Sequence, residues 1–242
     1  MFVKGEIDNK VYIKLINYAF SKCDAISLTK YCNQNNQVSS HIVNIIMSLE
    51  KYTQADIMSK YSDQFLEYLY LKYLDNDSIF DDNYKNAYES NTYGIDSIVF
   101  EKIKFNNRKI YIQESIQWYI YDLLTSVWLK NNQNNILQKQ IRHLKSADNY
   151  NIVYYIKLTD ELRNEILNRG SLFEWKWPTT LEDISFFNNG YCWIHTVSHE
   201  KICEIYCESV KEYEYLKSIG VNFLNENFIP TLRENLSFKN YI

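Results

Sequence analysis

Glycine and proline are scarce in this chain, with 5 Gly and 2 Pro among 242 residues. The glycines stand singly, at positions 5, 94, 170, 190 and 220. Loops that hold phosphate groups need closely spaced glycines, because only a backbone without Cβ atoms approaches a phosphate closely. The sequence contains no G-x-x-x-x-G-K-[ST], G-x-G-x-x-G, H-E-x-x-H or G-x-S-x-G motif. These absences argue against nucleotide-driven enzymes.

The chain also lacks a long apolar run and a strong excess of either charge. No stretch approaches the roughly 18 uninterrupted apolar residues of a membrane-spanning helix, and the N-terminal MFVKGEIDNKVYIKL has no apolar signal-peptide core. We therefore expect a cytoplasmic protein with no membrane partner. The net charge is -4, so duplex nucleic acid is not an expected partner. Five Cys without a secretion signal predict free thiols.

Apolar and aromatic residues are abundant, with 46% hydrophobic residues and 22 Tyr. This content is enough to bury a sizeable core. Residues 8–22 have apolar side chains close to helical spacing, with Asp8 as a candidate N-cap, and predict an amphipathic helix. Residues 24–31 alternate in polarity and predict a short strand.

The middle of the chain, from about residue 40 to 145, is predicted to be mostly helical. Apolar residues recur at helical spacing in 42–49, 65–73 and 115–130. Within this region IVFEKIKF (98–105) and KIYIQ (109–113) flank two consecutive asparagines and resemble a β-hairpin.

The part of the chain after residue 148 has sharper local signals. NIVYYIKL (151–158) predicts a strand, and Thr159 and Gly170 mark the two ends of the next helix. Near the C-terminus, Ser209 and Glu212 form an S-x-x-E capping box for one more helix.

Between these two helices, residues 191–197 and 202–207 predict a hairpin with its turn at 198–201. The predicted register is read from the alternation on both arms. It pairs Val197 with Ile202, Thr196 with Cys203, His195 with Glu204, Trp193 with Tyr206 and Cys192 with Cys207.

The two ends of the chain resemble a known family, over about residues 14–34 and 150–223. The resemblance lies in NYAFSKCDAISLTKY, VYYIKL, FEWKWP, LEDISFF, CWIHTVSHEK and EYEYLKSIGV. The family consists of uncharacterised small α/β proteins of low-GC Gram-positive bacteria, some of which bear a sporulation-stage name. It implies an α/β core module of residues 1–34 plus 149–242 and a mostly helical insertion at 35–148. It implies no activity and no catalytic residues.

Together, these patterns predict an α+β protein with a small antiparallel-rich sheet, flanking helices and a mostly helical insertion. The sheet would comprise the N-terminal strand, residues 151–158 and the 191–207 hairpin.

Thiols and imidazoles are concentrated in the predicted hairpin, which raises the question of a zinc site. The candidate ligands are Cys192, His195, His199, Cys203 and Cys207. In the predicted register the thiols share one face, His195 lies on the other, and His199 lies at the turn, so no four ligands converge. Paired C-x2-C knuckles are also missing. We therefore predict buried structural thiols, no metal and no cofactor.

The sequence also offers two catalytic interpretations. A Cys-His nucleophile pair has no third orienting group in the sequence, and His195 opposite Glu204 is better interpreted as a hydrogen-bonded pair. Consecutive acids at Glu182 and Asp183 could serve metal-dependent phosphodiester chemistry. Their place at a predicted helix start gives a structural account instead, because the helix dipole favours acids there.

Four residues are the candidate binding residues. His199 and Glu200 are predicted at the exposed turn of the hairpin, and Trp175 and Trp177 belong to a W-x-W-P segment. The two indoles form either an aromatic platform for a ligand or a corner that fills the gap between sheet and helix.

Two classes of function follow. The first is a non-enzymatic protein-binding module, such as an immunity protein, an accessory factor or a phage-related inhibitor of a host defence complex. Mild acidity, abundant Tyr and Trp, and the missing catalytic motifs favour this class, whose partner would be a protein. The alternative is a small enzyme or ligand-binding protein that uses the Cys/His hairpin.

Overall fold

The computed structural model describes residues 1–32, 36–60, 62–80, 97–143, 150–225 and 227–228. The α-helices are α1 (Asn9–Lys22), α2 (Asn36–Glu50), α3 (Gln54–Lys60), α4 (Asp63–Tyr73), α5 (Ser97–Asn131), α6 (Asp160–Arg169) and α7 (Val210–Ser218). The strands are β1 (Ala25–Cys32), β2 (Ile136–His143), β3 (Tyr150–Lys157), β4 (Glu182–Asn188), β5 (Tyr191–Val197) and β6 (Ile202–Ile205). The α+β prediction is confirmed.

The strands form one sheet in the order β2-β3-β1-β4-β5-β6, and every neighbouring pair is antiparallel. Three predicted parts of the sheet are present, namely β1, β3 and the β5–β6 hairpin. Two strands were not predicted. Residues 136–143 form β2 within the range assigned to the helical insertion. The segment from Glu182 forms β4, so the predicted helix start at Glu182 and Asp183 is wrong.

One face of the sheet carries the main apolar core of the part of the chain that contains the sheet. Helices α1, α6 and α7 pack there against apolar residues of β1, β3, β4, β5 and β6. Trp175 and Trp193 are fully buried in this core. The opposite face carries a smaller cluster of Ala25, Val153, Tyr155, Phe187, Cys192 and Tyr206. The candidate site lies on this second face.

The hairpin register is confirmed near its turn, where Val197, Thr196 and His195 pair with Ile202, Cys203 and Glu204. Further from the turn, the predicted distribution over the two faces is wrong. Trp193 belongs to the helix-covered core, whereas Tyr206 belongs to the cluster on the other face. Cys192 and Cys207 are separated in the same way.

A β-bulge explains the difference. Phe186 lies opposite Ile194 and the next residue, Phe187, lies opposite Cys192, so β5 has one extra residue at Trp193. An extra residue interrupts the alternation of side chains, which reverses the face of every residue beyond it. Alternation in the sequence does not show where such an insertion falls.

The chain divides into two compact units, residues 1–32 with 127–242 and residues 33–126. The first unit contains the whole sheet. The first unit therefore includes Val127–His143. The sequence predicts these residues to belong to the 35–148 insertion and not to the core module.

The second unit has its own apolar core, formed by α2, α3, α4 and α5. The hairpin predicted around Asn106 and Asn107 is wrong, because α5 runs through both positions as a continuous helix. The physical reason is visible further along α5, where buried Ile112, Ile116 and Ile120 recur every four residues on one helix face.

Candidate functional site

A recess of about 140 Å³ lies on the face of the sheet opposite α1, α6 and α7. Its lining comes from five strands, β1 to β5. The lining residues are Ser27, Thr29, Tyr31, Arg142, Asn151, Val153, Tyr155, Asp183, Ser185, Phe187, Cys192 and His195. Nine of these twelve side chains are polar in spite of their position on a sheet, so the recess is a candidate binding site.

A row of polar side chains crosses the sheet at the recess. Ser27 lies opposite Tyr155 on one side and Ser185 on the other. The hydroxyl oxygen of Ser185 lies 3.2 Å from Nδ1 of His195, which in turn lies opposite Glu204 on β6. Because these residues sit on adjacent paired strands, their spacing is set by the sheet.

His195 is a neutral hydrogen-bonding group in this row. Burial lowers the pKa of its imidazole, and the charges of Asp183 and Glu204 oppose that effect. A neutral imidazole exchanges one hydrogen bond with the Ser185 hydroxyl through Nδ1 and keeps its second nitrogen for another group. His195 and Glu204 are cross-strand neighbours as predicted, but the hydrogen bond predicted between them is not formed, because His195 bonds Ser185 and Glu204 accepts a hydrogen bond from Tyr206.

The recess has a cationic end and an anionic end. Arg142 on β2 donates hydrogen bonds to the Gln140 side chain and to the hydroxyl of Tyr155. Asp183 on β4 accepts a hydrogen bond of 3.4 Å from the hydroxyl of Tyr31. Burial, together with the charge of Asp183, raises the pKa of Tyr31, so this hydroxyl keeps its proton.

Asp183 has an unusual backbone conformation, with a φ of 57° in the left-handed region. A residue with a Cβ rarely adopts this region, and such positions concentrate at functional sites. The carboxylate is held in place, because Oδ1 accepts a 2.8 Å hydrogen bond from the amide of Ser198. This bond connects the start of β4 to the β5–β6 turn.

Beside the recess, Glu182, Asp183 and His199 form a cluster in which one ligand atom of each lies within 4.8 Å of the others. Nδ1 of His199 lies 3.5 Å from Oε2 of Glu182, whose side chain is 4% exposed. Burial raises the pKa of Glu182 to about 7, and the charge of Asp183 adds to the shift. The backbone amide of Trp177 and His199 act in the opposite direction.

The four predicted binding residues lie in different environments. His199 and Glu200 are exposed in the turn, and His199 contacts Glu182. Trp175 is buried in the core, with its ring against Trp128 and under the guanidinium of Arg169. This ring does not face the recess.

Trp177 is half-buried, and its backbone amide contacts the Glu182 carboxylate. The W-x-W-P segment thus contributes a backbone donor to the cluster of Glu182, Asp183 and His199.

Sequence reasoning missed most of the recess. The alternation of Ser27, Thr29 and Tyr31 along β1 was the available signal, because it places three polar side chains on one face of a central strand. Glu182 and Asp183 were recognised but assigned to a helix start. Arg142 lay in a segment that was not predicted to be a strand.

The thiols do not form a metal site. Cys203 and Cys207 lie in the helix-covered core, and Cys192 lies on the recess face with its Sγ 3.2 Å from the Ile194 carbonyl. The prediction that all three thiols share one face is therefore wrong, for the reason given by the bulge in β5. Among the residues that the structure describes, no cysteine belongs to a group of three potential metal ligands.

Comparison of the chain with protein-family models, curated proteins and solved structures gives no match in any of the three. The family resemblance of the two chain ends therefore stays a prediction. None of the described helices is both long enough and apolar enough to cross a membrane.

Proposed function

We propose that this chain binds a small polar ligand in the recess of the sheet. The observation that carries the proposal is the convergence of hydroxyl, amide, imidazole, guanidinium and carboxylate groups from five adjacent strands. Binding sites combine a concave surface with a few fixed polar groups, and groups held on paired strands are positioned more accurately than groups on loops. The hairpin contributes Cys192 and His195 to this site.

The size and charge of the recess restrict the ligand. A volume of about 140 Å³ is below the roughly 300 Å³ of the smaller drug-sized pockets and corresponds to about five water molecules. Arg142 and Asp183 lie on strands three steps apart, about 14 Å between backbones. We infer a small molecule, or one end of a larger molecule, with an acidic group toward Arg142 and a hydrogen-bond donor toward Asp183.

The first test is a titration of ¹⁵N-labelled protein with a panel of small carboxylic acids, amino acids and inorganic phosphate, followed by amide chemical shifts. We expect saturable shifts confined to strands β1 to β5 with at least one member of the panel. Arg142→Gln should abolish these shifts. The matched control is Lys139→Gln. Lys139 lies on the same strand as Arg142, but its ammonium lies over the ring of Tyr154, a residue of the helix-covered core, and so on the other face of the sheet. Shifts spread over both faces, or equal loss in both variants, would contradict the proposal.

A protein-binding module is the second candidate, and the exposed edge strand β2 favours it. Within the described sheet β2 pairs with β3 on one side and has no strand on the other. Leu137 and Ile141 of this strand are 55% and 59% exposed. An apolar edge strand accepts an extended segment of another protein through main-chain hydrogen bonds. An immunity, accessory or phage-related anti-defence inhibitor protein would use such an edge.

The second candidate is tested by affinity capture from a bacterial lysate with the full chain as bait. Ile141→Pro removes one backbone donor of the edge strand and should abolish retention of a specific partner. Leu71→Pro is unsuitable as a control because it would break α4, so we choose Leu71→Asp, at an equally exposed apolar position of the second unit. A partner retained by Ile141→Pro but lost with Leu71→Asp would place the interface elsewhere.

A further inference from the structure

Two consecutive carboxylates at the start of β4 point toward the same place, which is unusual for a strand. Successive side chains of a strand project to opposite faces, so adjacent Glu182 and Asp183 should diverge. The left-handed φ of 57° at Asp183 breaks this alternation, and the pairing of β1 with β4 shifts register between Ser27 and Thr29. As a result, both carboxylates lie within 4.8 Å of the His199 imidazole.

Ser198, a buried serine, is connected to the same cluster through its backbone. Ser198 is 2% exposed, and its Oγ has no hydrogen-bond partner in the structure. Its amide donates a 2.8 Å hydrogen bond to Oδ1 of Asp183, and the next residue along the chain is His199. Burying a hydroxyl without a partner is unfavourable, and a water molecule bound to a metal ion would satisfy it.

We propose that Glu182, Asp183 and His199 bind one divalent transition-metal ion, such as Mn²⁺ or Zn²⁺. Carboxylates suit Mn²⁺ as well as Mg²⁺ and Ca²⁺, whereas an imidazole in the ligand set suits Zn²⁺ and other first-row transition metals better than Mg²⁺ or Ca²⁺. Three protein ligands leave coordination positions for water, as in catalytic sites and unlike closed structural sites. His199 is 55% exposed, which leaves the ion an access path from the solvent side.

The metal site and the recess share Asp183 but are separate proposals. Asp183 lines the recess, while Glu182 and His199 do not. Metal binding therefore does not depend on a ligand in the recess, and Arg142→Gln should leave it unchanged. In the absence of metal, Nδ1 of His199 lies 3.5 Å from Oε2 of Glu182.

The test uses the full chain without an affinity tag, freed of metal by chelation and gel filtration. Equilibrium dialysis against Mn²⁺ or Zn²⁺ with elemental analysis gives the stoichiometry, and calorimetric titration gives the affinity. We expect one ion per chain, with Mg²⁺ and Ca²⁺ binding more weakly. His199→Ala and Asp183→Asn should each lower the affinity by more than about tenfold.

Two controls separate this site from adventitious binding. Glu200→Gln changes the neighbouring exposed carboxylate of the same turn and should leave affinity unchanged. His143→Ala removes an imidazole on β2, away from the turn, and should also have no effect. Variants are compared by circular dichroism, and Glu182→Gln is added if Asp183→Asn unfolds. Absence of saturable binding, or equal affinity in His199→Ala and the parent chain, would overturn the proposal.

Discussion

The indole N–H of Trp193 donates a 3.0 Å hydrogen bond to Oε1 of Glu212, and both side chains are buried. The same carboxylate forms an ion pair of 2.6 Å with Lys22 and accepts a 2.6 Å hydrogen bond from the amide of Glu208. These contacts join α1, β5 and α7 at one buried carboxylate. A buried charge is tolerated when it is paired and hydrogen-bonded in this way.

We expect Glu212→Ala to lower the free energy of unfolding by about 3–5 kcal/mol, because it leaves the Trp193 indole buried without its acceptor and leaves the Lys22 ammonium with Glu208 as its remaining partner. Urea denaturation followed by circular dichroism measures the change. Glu214→Ala is the matched control, since Glu214 lies on the exposed side of the same helix, and its effect should stay below about 0.5 kcal/mol. Similar losses in the two variants would mean that the buried contacts contribute little.

The carboxylate of Glu212 shows what the sequence can and cannot predict. The S-x-x-E pattern correctly predicts the N-cap, because Ser209 Oγ accepts a 3.2 Å hydrogen bond from the amide of Glu212. Capping depends on residues close in sequence. The bonds of the same side chain to Trp193 and Lys22 connect distant elements, so no local pattern indicates them.

The same distinction applies to the sheet and to the candidate site. Strand β1 was predictable from its alternation, β3 from its β-branched and aromatic residues, and the turn of the hairpin from the two arms that flank it. Bulges in β4 and β5 depend on pairing with neighbouring strands and change which face a side chain takes. His199 was therefore correctly placed at a turn, while its proximity to Glu182 and Asp183 required the fold.

The helix that replaces the predicted hairpin can be tested at Asn106, which is exposed in the interior of α5. Asn106→Pro removes a helical hydrogen bond and introduces a clash, so it should destabilise the second unit by about 3 kcal/mol or more. Asn106→Ala should instead stabilise it by about 0.5 kcal/mol, because alanine has the higher helix propensity. Thermal unfolding measures both changes. If proline at position 106 left the stability unchanged, the hairpin predicted from the sequence would be supported in place of the helix.

The thiols differ in accessibility, which predicts selective labelling. Cys32 is half-buried, while the other four cysteines are buried. Burial raises the pKa of Cys203 to about 12 and also raises that of Cys23. Only the thiolate reacts, so at pH 8 the population of reactive Cys203 should be on the order of 1,000-fold below that of an ordinary thiol.

We therefore expect one fast-reacting thiol per native chain with an aromatic disulfide reagent, and all five after unfolding in urea. Cys32→Ser should remove the fast phase and leave the slow reaction unchanged. Fast labelling of two or more thiols in the native parent chain would show that the buried core opens more readily than the structure indicates.

The last prediction concerns the pH dependence of stability at Glu182, measured with a chelator present so that no metal contributes. Burial and the neighbouring Asp183 raise the pKa of Glu182 from 4.5 to about 7 in the folded chain. Below about pH 4.5 the carboxyl is protonated in both the folded and unfolded states. Between about pH 4.5 and 7 the unfolded chain loses this proton first, so stability falls as the pH rises.

Glu182→Gln removes this titration. The free energy of unfolding of the variant, relative to that of the parent chain, should therefore increase by about 1–3 kcal/mol from pH 5 to pH 8. Urea denaturation at five pH values measures the difference between the two chains, in which the contributions of titratable groups that do not contact Glu182 cancel. Glu200→Gln at the exposed turn should follow the parent profile throughout. A constant difference between Glu182→Gln and the parent across this range would show that the buried carboxyl keeps its ordinary pKa in the folded chain.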